Sequence, residues 1–171
     1  GNWLIAHEFG NNSFRAYQIT SDGIGNPVIS SIGSDHPLSN ELSGRGYMKL
    51  GGGNILAVAI NTPGVSNVLE LFDFDNATGM LSNFRTADLN SATGQVYGVE
   101  FAGNKIFATL TGNPSFIREF YIDYQGNPVL ITPNTGAVAE ELGAIQLGPN
   151  GQLFVAVNNQ PFLGAIFLNA D

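Results

Sequence analysis

Apolar residues in this chain come in runs of about five to eight, rich in Val, Ile, Phe and Tyr, a length typical of β-strands. Between the runs lie short clusters: Gly51-Gly52-Gly53-Asn54, Gly103-Asn104, Gly126-Asn127 and Gly148-Pro149-Asn150-Gly151. Gly and Asn tolerate the positive φ that tight hairpins require, so the clusters predict hairpin turns. No stretch keeps a 3.6-residue apolar period over three turns. Ala137 to Leu142 comes nearest and is too short to stand as a helix alone. The pattern predicts an all-β chain.

The predicted strands recur in a fixed order. Tyr47 to Leu50, a glycine turn and Asn54 to Ala59 form one block. Gly98 to Phe101, a turn and Lys105 to Leu110 form a second; Ala144 to Leu147, a turn and Gln152 to Val157 form a third. Asn2 to His7 matches the second half of the block, which makes Leu4, Ile55, Ile106 and Leu153 equivalent at separations of 51, 51 and 47 residues. A third strand follows each time (Phe14 to Thr20, Val68 to Asp75, Phe116 to Asp123, Ala165 to Asn169). A weaker fourth comes after it (Pro27 to Ile32, Leu81 to Asp88, Pro128 to Thr132).

Four antiparallel strands per repeat of about 50 residues predict the blades of a β-propeller. A generic β-sandwich is the competitor, but it does not demand the same order four times. The expected division is one propeller segment, with a partial blade at 1–39, blades at 40–90 and 91–135, and a partial blade at 136–171. Since a blade needs a neighbour on either side, the segment is expected to be a partial propeller. Its completion falls to the remaining blades of a parent chain or to other chains, because an open apolar face invites aggregation.

Composition narrows the partners. Six Lys and Arg against fourteen Asp and Glu give a formal net charge of -8, which disfavours nucleic acid and anionic membrane surfaces. The longest apolar run, Ile55 to Ile60, is too short for a transmembrane segment, and no leader pattern opens the residues given. With no cysteine there is no disulfide or thiolate chemistry.

The innermost strand of a blade lines the central channel, and its side chains alternate. Block alignment puts Lys49, Glu100 and Gln146 at one equivalent position, with Lys49 and Glu100 close enough to pair across blades. They are candidates for a ligand-binding channel; a solvated wall with a structural ion pair is the plainer alternative. His7-Glu8 end a second strand, and Asp35-His36 sit in the long loop before Gly44-Arg45-Gly46; loops entering an inner strand often lie on the face where propellers bind ligands. A His, Glu and Arg set could polarise and hydrolyse an ester, so His36, Arg45 and Glu100 form the catalytic set if the protein is an enzyme. No spacing for a zinc site, no serine-hydrolase elbow and no complete EF-hand loop occurs, and no cofactor is expected. Asp73, Asp75 and Asn76 could hold Ca²⁺ weakly, but an Asx turn is the simpler expectation. Phe116 and Phe162 are candidates for rim contacts to a glycan or protein, weighed against packing between blades.

Three phrases carry a family resemblance: Tyr97 to Phe101, Glu70 to Gly79, and Gly143 to Gly151. They resemble the propeller repeats of large secreted surface proteins of gliding bacteria, cargo of the type IX secretion system. More distantly they resemble lactonase-type seven-bladed propellers. The resemblance spans nearly the whole chain; Gly51-Gly52-Gly53-Asn54 departs from the Ser-Pro-Asp/Asn-Gly turn usual in such repeats. It implies a secreted or cell-surface location and a non-enzymatic binding, adhesion or scaffold role, with a protein or glycan ligand at the rim or channel. The rivals are a lactonase-like hydrolase at the channel and a structural spacer.

Overall fold

Alternating side chains punctuated by glycine turns fold the chain into four consecutive antiparallel sheets. The computed structural model describes residues 1–37, 44–62, 66–87, 89, 94–123, 126–130 and 139–168. The first sheet holds β1 (Asn2–His7), β2 (Ser13–Thr20), β3 (Gly23–Ile24) and β4 (Val28–Ser31). Both β3 and β4 pair with β2, its outer edge being interrupted near Pro27, which has no N–H to give to a ladder. The second sheet runs in order through β5 (Met48–Leu50), β6 (Ile55–Thr62), β7 (Ser66–Phe74) and β8 (Leu81–Ala87). The third repeats that order with β9 (Gln95–Ala102), β10 (Lys105–Thr111), β11 (Phe116–Ile122) and β12 (Pro128–Leu130). The fourth comprises β13 (Leu142–Leu147), β14 (Leu153–Val157) and β15 (Leu163–Ile166).

Cross-strand pairing fixes the equivalences between repeats. Leu50 lies opposite Leu56, Phe101 opposite Ile106, and Leu147 opposite Leu153. On their other side, Leu4, Leu56, Ile106 and Leu153 face Tyr17, Phe72, Phe120 and Ile166. The equivalent residue of the second sheet is therefore Leu56, one position beyond the Ile55 expected from pattern. Turn length is the reason. Gly51 closes its hairpin by donating to the Ile55 carbonyl, as Gly148 does to Gln152, whereas Ala102 and Lys105 flank the two-residue turn Gly103-Asn104.

Each sheet buries one face against the next. Phe14 and Ala16 of the first sheet, with Trp3 and Ile5 beside them, meet Leu56, Val58, Ile60, Phe72 and Phe74 of the second. Ile55, Ala57, Leu69 and Leu71 on the second sheet's opposite face meet Val99, Ile106, Leu110 and Phe120 of the third. Phe107 and Ile117 then meet Ile145, Leu153 and Val155 of the fourth. Burying each large side chain contributes roughly 1.5–3 kcal/mol, and edge-to-face rings such as Phe14 on Phe72 (5.0 Å) add specificity. Meanders stacked face on face in this way are propeller blades, and the chain is a partial β-propeller.

The two outermost faces lack such a partner. Leu4 is 51% exposed although its equivalents Leu56, Ile106 and Leu153 are at most 1% exposed. Ile24 and Ile29 on the same sheet, and Leu163 on the fourth, are exposed too. This contrast yields a stability prediction. Phe72→Ala should cost about 3–5 kcal/mol by opening a cavity between blades, and Leu4→Ala less than about 0.5 kcal/mol, both read as shifts in the urea midpoint at unchanged slope.

Candidate functional site

Second strands finish and inner strands begin at one end of the blades, and two adjoining cavities lie there. The first, of about 510 Å³, is lined by His7 and Glu8 at the end of β1, His36 beyond β4, the segment Gly44 to Gly46, Met48, and Val58 and Ala59 on β6. Gly46 approaches so closely that an added Cβ would stand 1.9 Å from the Ala59 carbonyl oxygen, so a side chain is sterically excluded there.

His7 and His36 stack in this cavity with ring centroids 3.7 Å apart, and the edge of His7 meets the Phe14 ring at 4.4 Å. Nδ1 of His7 lies 2.5 Å from the Glu8 carbonyl oxygen. A carbonyl only accepts, so Nδ1 carries the proton and Nε2 of the neutral ring is left with its lone pair. Burial lowers the pKa of His7; burial and then the neighbouring His7 push His36 down to about 4. The Nε2 atoms of both rings are buried without a hydrogen-bond partner. Backbone bonds hold His36 to the β1–β2 turn, from Gly10 to the His36 carbonyl (2.7 Å) and from His36 to that of Asn11 (3.0 Å). The loop before it is tied by the Ser34 N–H to the buried Glu70, whose carboxyl is pushed up by burial. Gly33 there has φ +86, and a Cβ would stand 2.7 Å from Glu70 Oε2. Glu8 is held below its ordinary pKa first by the Asn11 amide and then by Arg15.

The second cavity, of about 590 Å³, is lined by Asn61, Gln95, Tyr97, Thr111, Glu141 and Asn158 among others, and Arg45 lines both cavities. Asn61 is buried; its amide donates to Gln95 Oε1 at 3.0 Å, while its own Oδ1 has no partner. Among the described residues Arg45 makes no ion pair or hydrogen bond. Each of the other five basic side chains is engaged, Arg15 with Glu8, Lys49 with Glu100, Arg85 with Asp73, Lys105 with Glu119, and Arg118 with the Leu89 carbonyl.

The site residues read from the sequence thus divide. His36 and Arg45 share a cavity, with His7 and Glu8 beside them. Glu100 is not in its lining. Its carboxylate accepts Lys49 Nζ at 2.9 Å from the second blade, the Leu147 N–H at 3.0 Å from the fourth, and the Phe101 N–H at 2.8 Å. Buried and triply bonded, Glu100 joins three blades and is not available as a third member of a set with His36 and Arg45. Gln146 is exposed, lies opposite Phe154 and immediately precedes Leu147, whose N–H reaches Glu100.

Asp75 accepts the Ala77 N–H and the Thr78 hydroxyl, and Asp73 accepts Arg85 and Asn83, the bonding of a turn with its oxygens already engaged. Among the described residues no three His, Asp or Glu side chains gather as metal ligands. Phe116 packs on the core under Arg118, whereas Phe162 is 59% exposed. Sequence reading passed over the second cavity, although a signal existed. Asn61, Thr111 and Asn158 each stand five residues beyond the equivalent Leu56, Ile106 and Leu153, a polar residue at or next to the end of these three strands, where the first sheet has Phe9.

No protein-family model and no curated protein matches the sequence. Solved structures do. A Bacteroides fragilis protein assigned as a 6-phosphogluconolactonase superposes with a TM-score of 0.67 at 14% identity, over 96% of this chain and 48% of that one. The Dos1 propeller gives 0.59 at 15%, over 91% and 39%. Catalytically inactive virginiamycin B lyase of Staphylococcus aureus, crystallised with quinupristin, gives 0.55 at 16%, over 96% and 51%. The chain spans about half the length of these proteins or less, and at such identities the likeness is one of fold. That fold is the β-propeller. No helix among the described residues is long and apolar enough to cross a membrane.

Two predictions follow from the site's electrostatics. Glu100→Ala should destabilise the fold by about 1–3 kcal/mol, because it leaves the Phe101 and Leu147 N–H groups without their acceptor. Lys49→Met should cost at least as much, because it leaves the buried Glu100 carboxylate without its counter-charge; urea denaturation of both variants checks the order. His36, with its folded-state pKa depressed from 6.5 to about 4, binds fewer protons folded than unfolded between those values. Its contribution to stability is therefore complete above about pH 6.5 and lost as pH falls toward 4. The raised pKa of Glu70 acts in the opposite sense, so the measurement is the pH-dependent difference in urea midpoint between the wild type and His36→Gln. That difference should grow smaller on going from pH 7 to pH 4.5.

Proposed function

We propose that the chain is the ligand-recognising part of a β-propeller in an exported surface protein, and that it binds its ligand without transforming it. The observation that carries this reading is the first cavity, in which the buried Nε2 atoms of His7 and His36 have no partner and Arg45 stands unpaired. Buried polar atoms are normally satisfied, so a ligand that hydrogen-bonds there recovers a cost the free protein carries. Binding in preference to hydrolysis is supported by Glu100, which is committed to joining blades, and by Glu8, the acid of the cavity itself, whose carboxylate is already engaged by Asn11 and Arg15. Export to the cell surface, the type IX route and an adhesive role rest on the resemblance of the repeat phrases to surface proteins of gliding bacteria.

A lactonase-like hydrolase is the second reading, favoured by one observation. The unprotonated Nε2 of His7 is a base of suitable kind, since a neutral imidazole can take a proton from water attacking an ester. One experiment separates the two. The chain and its His7→Ala/His36→Ala variant are probed on an array of polysaccharides, and glucono-δ-lactone is offered to both with alkali uptake followed. The binding reading expects array signals that the variant loses and lactone turnover equal to buffer. Turnover above buffer that the variant abolishes would make the protein an enzyme.

A further inference from the structure

We infer that the two cavities form one extended site for an acidic oligosaccharide, with Arg45 holding a carboxylate at the junction and a sugar unit on each side. The inference rests on the binding reading above and assigns its ligand class.

Three observations on separate residues converge. Arg45 lines both cavities, so the two adjoin at this residue. It is also the basic side chain without an ion pair or hydrogen bond among the described residues, in a chain with a formal net charge of -8. So acidic a chain supplies many possible internal partners, and an arginine left free of them is open to an anion from outside. A guanidinium presents a planar fork that fits a carboxylate through two parallel bonds.

The second observation is that each cavity holds a buried acceptor with nothing to accept. In the first, His7 Nε2 has a lone pair because Nδ1 gives its proton to the Glu8 carbonyl. In the second, Asn61 Oδ1 is unpartnered on a side chain only 5% exposed, its amide being fixed on Gln95. Both acceptors call for O–H or N–H donors from a ligand, one in each of the cavities that share the arginine.

The third is the chemistry of the second cavity's wall. Side-chain amides from Asn61, Gln95 and Asn158, the Thr111 hydroxyl, the Glu141 carboxylate and the Tyr97 ring line it. Amides and hydroxyls both donate and accept, which suits a ligand covered in hydroxyls, and an aromatic ring offers a flat face to a sugar. A peptide would present one donor per residue along its backbone; a sugar presents hydroxyls in every direction, as the dispersed acceptors here require.

The test is calorimetric titration of the whole chain with tetragalacturonate, its methyl-esterified form, and hexaglutamate. Tetragalacturonate should bind, and Arg45→Gln, at an exposed position where folding is not at risk, should weaken it about ten- to a hundredfold. The methyl ester should bind weakly to both proteins alike. In ¹H–¹⁵N spectra the side-chain amide signals of Asn61 and Gln95 and the ring signals of His7 should shift along one saturation curve. Hexaglutamate binding more tightly than tetragalacturonate overturns the inference in favour of an acidic peptide, and absent binding of tetragalacturonate overturns it outright. Should the polysaccharide array lose its signals in the His7→Ala/His36→Ala variant while Arg45→Gln binds as before, the recognition site stands and its extension across Arg45 falls.

Discussion

A β-sheet with two apolar faces is stable only when both are covered, and this requirement organises the whole chain. Leu56 and Ile55, adjacent on one strand, point to different neighbours and belong to different cores. No blade has a core of its own. Glu100, buried between blades, is bonded by the Lys49 ammonium and two backbone amides. Elsewhere the polar chemistry is displaced to the end of the blades, where strands terminate and alternation no longer dictates side-chain type.

That displacement separates the polar groups between blades from those at the blade ends. The Glu100 carboxylate that joins blades is satisfied, and buried atoms of the residues that share cavities with Arg45 are not. Among the described residues, two imidazole nitrogens and an amide oxygen there are buried without partners. The stacked pair can be tolerated because burial keeps both rings neutral; two imidazolium rings at the same separation would repel.

Strand order was legible in the sequence because it follows from period-two alternation and Gly-Asn turns, both local properties. The slip from Leu56 to Ile55 shows where locality ends. A five-residue and a four-residue connection look alike in composition, and only the ladder of hydrogen bonds tells which residue stands opposite Leu50. The site was legible in part for a similar reason. His36 and Arg45 could be brought toward one end because both lie in connections leading to inner strands. Glu100 lies within an inner strand, and alignment alone could not say that its carboxylate would be taken by neighbours on both sides. The row formed by Asn61, Thr111 and Asn158 was written in the repeat, yet it gains meaning only when three strand ends are seen around one hollow.

The contact between consecutive blades has one direction, the forward face of each meeting the backward face of the next. Copying or deleting a unit of that size in the gene would therefore join surfaces already suited to one another, and blade number is free to drift over generations. Glu100 restrains that freedom locally. Because it grips partners on either side, its own blade cannot be exchanged for a sibling without carrying the acid along, which makes it a marker of position in an otherwise interchangeable series.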